Sequence, residues 1–288
     1  MIKKELPFFL ALPGYLWQFF FLISPLCIII YYSFVTYDKH AVVFTLRHYA
    51  YIFDRDHLFI IIRSALLALS TMLFSLLCAY PIAYYLALKV RKRKNLLLFF
   101  LTLPFWTNFL ILIYAWFFLL ERNGIINQFL IKLHIISEPL RLANSIFSLF
   151  MVMVYCYLPF MIMPLYTSLG KIDKRLLEAS ADLGATQWET FFRITVPLSF
   201  SGMKTGLFLV LIPAFGEFAI PSLLGGQKYM LAGAMIRYYF FVVRDNSLGA
   251  TFTVLCALTL GIVAFLVYFF FRKAVTFLYM RGRGICLK

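Results

Sequence analysis

The sequence predicts an all-α membrane protein that crosses the bilayer six times, and both composition and segment length support this prediction. Of the 288 residues, 63% are hydrophobic and 19% are aromatic, whereas a soluble globular domain is usually about 45–50% apolar. Charged residues make up only 14% of the chain, and they lie in clusters between apolar stretches. Six of these stretches reach about 20 residues, the length that a helix needs to cross the hydrocarbon core. They lie near 8–35, 59–88, 96–119, 144–168, 202–223 and 248–271.

The six predicted helices form a single transmembrane domain that takes up the whole chain, 1–288. No internal repeat and no stretch of soluble-domain composition divides it. Prolines recur inside the predicted spans, and they favour kinked helices that pack against neighbours over isolated straight ones. These residues are Pro13, Pro25, Pro81, Pro104, Pro159, Pro164, Pro213 and Pro221.

The distribution of Lys and Arg predicts the orientation of the helices. The net charge is +15, which would suggest a nucleic-acid partner in a soluble chain. In a membrane protein it is typical of basic cytoplasmic loops that face anionic lipid, so no nucleic acid is expected here. The basic run Lys89–Lys94 lies between the second and third spans, and further basic residues follow the fourth and sixth. By the positive-inside rule, 89–95, 171–200, 272–288 and both termini are cytoplasmic.

The longest mixed-polarity segment, 171–197, lies between the fourth and fifth spans and predicts two short helices joined by a tight turn. Asp173 is positioned to cap the first helix. Gly184 is the natural end of that helix, because glycine accepts the left-handed backbone that often ends helices. Thr186 and Glu189 have the spacing of a capping box for the second helix.

The second of these helices is predicted to be amphipathic. Pro197 is predicted to end it, because proline cannot continue a helix. Such a helix suits the surface of a membrane, but these features are equally typical of an ordinary structured cytoplasmic loop. Its apolar stripe carries Trp188, Phe191, Phe192 and Thr195.

One pattern in this segment is specific. It consists of Glu178, Ala179, Ser180, Gly184, Ile194 and Pro197. The pattern resembles the EAA loop of ABC-importer permeases, with Ser180 in place of the second alanine and Val196 in place of a leucine. In that family the loop forms a coupling helix that docks into a groove on a separate ATPase subunit. The resemblance therefore implies the type I ABC importer permease fold and an ATPase-coupling role for the six residues.

The chain also resembles the permeases of spermidine/putrescine importers, in particular the first permease subunit of the pair. The likeness extends over about 40–270, with a family-like core at about 60–270. It implies transport of polyamines across the inner membrane. Permeases for sulfate, ferric iron or other small solutes share the architecture and remain the alternative, and an ion-driven secondary transporter is a more distant one. The likeness is carried by Leu103–Asn108, Leu158–Tyr166, Lys174–Ala185, Pro213–Phe218 and Leu224–Gly226.

The resemblance further implies a set of partners. These are a second, homologous permease subunit, two copies of an ATP-binding ATPase, an extracytoplasmic substrate-binding protein and the surrounding lipid bilayer. No cofactor or metal is expected. The sequence has no Gly-x-x-x-x-Gly-Lys-Ser/Thr, His-Glu-x-x-His or Gly-x-Ser-x-Gly motif, so no catalytic residue is predicted and ATP hydrolysis is assigned to the separate ATPase.

Two residues are predicted to line the substrate path. Glu217 lies in the fifth span between Pro213 and Pro221, and an acidic side chain within a span indicates a functional role by default. The structural alternative is a carboxyl that is protonated or bonded to a neighbouring helix. Trp106 is the aromatic candidate, because the face of an aromatic ring can replace part of the water around an amine.

We expect a membrane-impermeant maleimide, added to intact cells, to label a cysteine in the loop 121–143 but not one introduced by Lys92→Cys. The reason is that the basic run around Lys92 is retained on the cytoplasmic side. Both cysteines are introduced singly into a variant that lacks the 5 native cysteines. Labelling at 92 without labelling in the loop would show that the orientation is inverted.

Overall fold

The computed structural model describes residues 2–38, 41–90, 92–225 and 229–283, and most of them are helical. Three predicted features lie partly outside the described residues. They are the basic run Lys89–Lys94 at position 91, the segment Leu224–Gly226 at position 226, and the cytoplasmic segment 272–288 at positions 284–288. The α-helices in chain order are α1 (Ile2–Phe34), α2 (Arg47–Ile52), α3 (Arg55–Tyr84), α4 (Lys94–Trp106), α5 (Phe109–Leu120), α6 (Ile125–Lys132), α7 (Ile146–Leu169), α8 (Lys174–Asp182), α9 (Gln187–Thr190), α10 (Val196–Leu198), α11 (Phe200–Phe215), α12 (Ala232–Arg237) and α13 (Asn246–Arg283). Turns of π-helix lie at Tyr85–Lys89, Phe191–Thr195, Pro221–Gly225 and Tyr238–Val243.

Within the described ranges, 5 helices are long and apolar enough to cross a membrane. The number rises to 6 if the bent pair Gln187–Leu198 and Phe200–Phe215, which meet at 63°, counts as one span. The six predicted crossings correspond to this upper value. The five candidates other than this bent pair are Ala11–Phe34, Arg55–Lys89, Phe109–Lys132, Ile146–Leu169 and Asn246–Ala274.

The third predicted span, 96–119, is wrong as one continuous helix. The chain is extended at Thr107, between α4 and α5. Asn108 starts the new helix, because its side-chain oxygen accepts hydrogen bonds from the N–H groups of Leu110 at 2.9 Å and Ile111 at 3.4 Å. This is the arrangement of a helix N-cap. The Pro-Phe-Trp-Thr-Asn segment therefore lies at a break within the apolar stretch, directly before the candidate span Phe109–Lys132.

The fifth predicted span, 202–223, is also interrupted. Helix α11 ends at Phe215, and the chain leaves the helical conformation at 216–218. Helical turns then resume and continue into the π-helical turn Pro221–Gly225. The break leaves backbone N–H groups that need a new acceptor, and the side chain of Glu217 supplies it, as described below.

A small hairpin departs from the all-α prediction. Strand β1 (Val35–Asp38) pairs antiparallel with β2 (Ala41–Phe44), so that Val35 faces Phe44 and Thr36 faces Val43. Valine, threonine, tyrosine and phenylalanine dominate both strands, and these residues favour the extended backbone. The segment between the first two predicted spans, 8–35 and 59–88, therefore contains regular structure.

Residues up to 59 together with 235–259 form one compact group. In this group the first half of α13 is hydrogen-bonded to the end of α1 and to the residue that follows it. Ser247 Oγ donates to the carbonyl oxygen of Val35 at 2.7 Å, and Thr251 Oγ1 donates to that of Ser33 at 3.1 Å. These hydroxyl groups satisfy carbonyl oxygens where the helix ends.

The described residues of 60–234, together with 260–283, form the second compact group. The most extensive helix packing among the described residues is that of α7 against α11. Buried Gly202 and Gly206 lie on α11, and Ser201 Oγ is 3.1 Å from Ser168 Oγ on α7. Small residues at such contacts let membrane helices approach closely. This helix pair holds the site described below.

The loop 121–143 is held together by one buried side chain. Asn127 Nδ2 donates to the carbonyl oxygens of Glu121 at 3.2 Å, Arg122 at 3.1 Å and Leu140 at 2.9 Å. Its Oδ1 accepts from the N–H of Leu140 at 3.0 Å. The amide thus joins the two ends of the loop.

The variant Asn127→Leu should loosen this loop, because it removes four hydrogen bonds from a buried position. Buried groups left unpaired cost about 1–3 kcal/mol each. We expect faster amide hydrogen exchange across 121–143, measured on the purified protein in detergent. The control Gln128→Leu removes one exposed hydrogen bond, of 2.9 Å to Asn123, and should change little. Unaltered exchange in Asn127→Leu would show that other contacts hold the loop.

Candidate functional site

The segment 171–197 folds into the two short helices and the tight turn that the sequence predicts. Asp173 caps α8, and its Oδ1 accepts from the N–H of Arg175 at 3.0 Å. Helix α8 ends at Asp182, and Gly184 has a φ of 80°. This left-handed backbone is the one that glycine adopts without a steric penalty. Both predictions, the cap and the end, are confirmed.

The predicted capping box at the start of α9 is also confirmed. Glu189 N–H donates to Thr186 Oγ1 at 3.3 Å, and Glu189 Oε2 accepts from the Thr186 N–H at 2.9 Å. The pKa of Glu189 lies below its ordinary value. The largest cause is the hydrogen bond from the Thr186 N–H, followed by the hydrogen bond from the Thr186 hydroxyl and the positive charge of Arg193. The Arg193–Glu189 ion pair of 3.4 Å is exposed, so it contributes little to stability.

The helix that begins at Gln187 ends at Leu198, one residue beyond the predicted end at Pro197. After α9 the chain passes through the π-helical turn Phe191–Thr195, stays helical through α10 and bends at Ser199. Pro197 lies in the first turn of α10.

The tip of the loop presents three residues to the surroundings. Glu178 and Ala179 are exposed on α8, and Leu183 at the turn is 89% exposed. Within the part of the chain that the structure describes, Glu178 has no basic side chain at ion-pair distance. The tip formed by Glu178, Ala179 and Leu183, called the coupling tip below, is therefore available to a partner.

Three other residues of the EAA pattern lie inside the loop. Ser180 and Pro197 are buried, and Ile194 is half-buried. Ser180 Oγ lies 2.8 Å from Thr190 Oγ1, and it donates to the carbonyl oxygen of Leu177 at 2.8 Å. The serine that replaces the second alanine of the pattern thus joins α8 to α9.

The second candidate site is Glu217, which is buried at the break that follows α11. Its Oε1 accepts from the N–H groups of Ala219 at 2.8 Å and Ile220 at 3.4 Å. Its Oε2 accepts from the hydroxyl of Tyr157 on α7 at 2.5 Å. All three neighbours are donors, and an ionised carboxylate is an acceptor only. The side chain therefore caps the restarted helix and bonds to a neighbouring helix.

No described residue forms an ion pair with Glu217. Among the residues whose burial the structure describes, which leave out 1–10, 37–42, 91, 105, 226–228 and 275–288, Glu217 is the only buried Asp, Glu, Lys or Arg. The ion pair found there joins Arg193 to Glu189 in the loop. A buried charge without a partner of opposite sign is unfavourable.

The carboxylate borders a cavity of about 300 Å³. Its wall combines the break between α4 and α5, the middle of α7 and the break after α11. The lining residues are Pro104, Thr107, Phe109, Leu112, Cys156, Tyr157, Pro159, Phe160 and Glu217.

The structure does not bring the two predicted path residues together. Trp106 is absent from the cavity wall, and its side chain is 82% exposed. Its neighbour Thr107 does line the cavity. Sequence analysis missed Tyr157, although a hydroxyl inside a predicted span, directly before the Leu158–Tyr166 segment, was a usable signal.

Residues 79–277 match the family described as the binding-protein-dependent transport system inner membrane component. The chain belongs to this family. The permease is 40% identical over 250 residues to the spermidine/putrescine transport system permease protein PotB of Escherichia coli (strain K12), covering 86% of this chain and 91% of that protein. It is 36% identical over 255 residues to PotB of Haemophilus influenzae, covering 88% and 89% of the two chains.

The permease also shares its fold with solved transporters. It matches the crystal structure of a bacterial alginate ABC transporter in complex with an alginate pentasaccharide-bound periplasmic protein, with a TM-score of 0.74 and 15% identity. The match covers 95% of this chain and 96% of that chain. This likeness confirms the type I ABC importer permease fold. The permease is a multi-pass inner membrane protein and a transport component.

Proposed function

We propose that this permease is the first of two membrane subunits in an ATP-driven importer of polyamines such as spermidine and putrescine. The observation that carries the proposal is the buried Glu217 carboxylate, which borders a cavity and has no cationic partner among the described residues. The names of the relatives that are 36% and 40% identical to the chain support the same substrate class.

An alkylammonium group would supply the missing positive charge. At an effective dielectric constant near 20, two unit charges about 4 Å apart attract each other by about 4 kcal/mol. This attraction would offset part of the cost of removing the ammonium from water. An ammonium also carries three N–H donors, and the carboxylate oxygens retain lone pairs beyond those used by Tyr157 and the backbone.

The other walls of the cavity suit the same ligand. Phe109, Tyr157 and Phe160 are aromatic, and an aromatic face attracts a desolvated ammonium. The apolar side chain of Leu112 offers contact to the methylene segments of a polyamine. Trp106 stays in the proposal as a substrate contact next to the cavity, because its neighbour Thr107 lines the wall.

The chemistry of the cavity disfavours the alternatives. An oxyanion such as sulfate would be repelled by the carboxylate of Glu217. A bare metal cation such as ferric iron would require several ligating side chains, and the cavity wall contains one carboxylate. An ion-driven carrier would use a series of ionisable groups within the spans, whereas the described residues bury this single one.

We assign coupling to the ATPase to the segment 171–197. The coupling tip would dock on an ATPase subunit, while Ser180, Gly184, Ile194 and Pro197 fix its shape. The proposal places this loop and both termini in the cytoplasm. A second homologous permease, two ATPase copies and an extracytoplasmic binding protein complete the assembly, and rigid-body movement of the loop would alternate access to the path.

The variant Glu217→Gln tests the substrate path. Glutamine keeps the carbonyl oxygen that caps Ala219 and Ile220 but has no charge. We expect the uptake of radiolabelled spermidine and putrescine, normalised to membrane-inserted protein, to fall about tenfold or more, equivalent to about 1.4 kcal/mol in the rate-limiting step. The amount of inserted protein should not change.

Two further variants separate charge from structure. Glu138→Gln removes an exposed carboxylate and should leave uptake unaltered. Glu217→Leu removes the cap as well as the charge, so it should also lower the amount of inserted protein. If Glu217→Gln transports normally per inserted molecule, Glu217 is a structural cap and lies outside the path.

The variant Gly184→Val tests coupling. A β-branched residue at a φ of 80° costs about 1–2 kcal/mol in the left-handed region, so the turn at the coupling tip should be displaced. We expect normal insertion but a joint loss of uptake and of stimulated ATPase activity, measured in proteoliposomes with the complete transporter. The control Gly14→Val changes a helical glycine in α1 with open space around it. Normal coupling in Gly184→Val would show that the loop is only a connector.

A further inference from the structure

The start of α12 lies in direct backbone contact with the break that holds Glu217. Gly233 is buried in α12. A Cβ atom added to it would overlap the carbonyl oxygen of Gly216 and would lie 2.8 Å from the Gly216 carbonyl carbon and 2.9 Å from the Glu217 carbonyl oxygen. These are backbone atoms, so no side-chain rotation can make room. The close approach therefore requires glycine at this position.

A second contact fixes the start of α12. The N–H of Ala232, which the helix itself leaves unpaired, donates to Ser64 Oγ on α3 at 2.8 Å. Ser64 is 1% exposed, and its hydroxyl donates in turn to the carbonyl oxygen of Ile60 at 2.7 Å. Helix α3 thus anchors α12 where it meets the break.

These contacts act on the backbone from which the carboxylate projects. On the far side of Glu217, the N–H groups of Ala219 and Ile220 bind the carboxylate. On the near side, Gly233 touches the Gly216 and Glu217 carbonyl groups. The backbone is therefore held from both directions, and an added atom at 233 would push Gly216 and Glu217 away.

We propose that Gly233 and Ser64 are positioning residues that hold the Glu217 carboxylate at the cavity, a role that rests on the proposed function of Glu217 as a substrate-contacting group. Gly233 acts by direct contact, and Ser64 acts through Ala232. Neither residue lines the cavity. Their effect on transport passes through the carboxylate.

A double-mutant cycle tests this role. Gly233→Ala is made in the wild type and in Glu217→Gln, and uptake of radiolabelled spermidine is normalised to membrane-inserted protein. In the wild type we expect a loss of about tenfold, because displacement of a reacting group by about 1 Å can cost up to about a hundredfold. In the Glu217→Gln background we expect Gly233→Ala to cause no further loss of uptake, because the effects of substitutions at coupled residues do not add. The control Gly261→Ala, in α13 with open space around it, should leave uptake unaltered.

Ser64→Ala provides an independent variant that adds no atom. It leaves the Ala232 N–H unpaired, and we expect a smaller loss of spermidine uptake that also disappears in the Glu217→Gln background. If the Gly233→Ala protein does not insert into the membrane, the double-mutant cycle of Ser64→Ala and Glu217→Gln decides the proposal alone. Failure of both variants to insert would overturn the proposal, because the two residues would then be purely structural.

The remaining outcomes separate this proposal from the function on which it rests. Suppose that Glu217→Gln impairs uptake. If Gly233→Ala then leaves uptake unaltered, or lowers it by the same factor in both backgrounds, the positioning role is overturned and the role of Glu217 in the substrate path stands. If Glu217→Gln transports normally while Gly233→Ala does not, both are overturned, because Gly233 then acts without the carboxylate.

Discussion

Backbone hydrogen bonding at breaks inside apolar stretches is the constraint on which the rest of this structure depends. Hydrocarbon contains no water, so N–H groups freed by a break need an acceptor within the protein. At the break after α4 the acceptor is the side-chain amide of Asn108, and at the break after α11 it is the carboxylate of Glu217. An amide satisfies the requirement without a charge. The carboxyl group of Glu217 satisfies it too, and it lies in a buried site that borders a cavity.

The charge at Glu217 connects the fold to the proposed transport of a cation. Tyr157 and two backbone N–H groups fix both carboxylate oxygens, so the group is oriented before a ligand arrives. A preorganised site loses less conformational freedom on binding. The structural and functional interpretations of this residue are therefore compatible, because the same hydrogen bonds that cap the helix hold the charge at the cavity wall.

The loop 171–197 depends on interactions of a different kind. Its caps, its glycine turn and the Ser180–Thr190 hydrogen bond all lie within the segment, so these features are set by contacts local in the chain. A loop of fixed shape can move as one body. It continues through α10 to a 63° bend at the start of α11, the helix that ends at the break beside Glu217. A displacement of the coupling tip would thus reach the helix that carries the site.

The sequence by itself determined the apolar segments and the local form of the loop, because hydropathy and capping act between residues close in the chain. Asp173 and Thr186 cap helices through hydrogen bonds to residues two or three positions away, and Gly184 forms a local turn. Their sequence patterns were therefore sufficient to predict the form of the loop. The interruptions at Asn108 and Glu217 were missed because a long apolar stretch has the same average hydropathy whether or not it is broken. Only the tertiary structure decided that Tyr157 meets Glu217, 60 residues away, and that Gly233 touches the same backbone. Such contacts depend on the depth and rotation at which separate helices pack, and no local pattern specifies these.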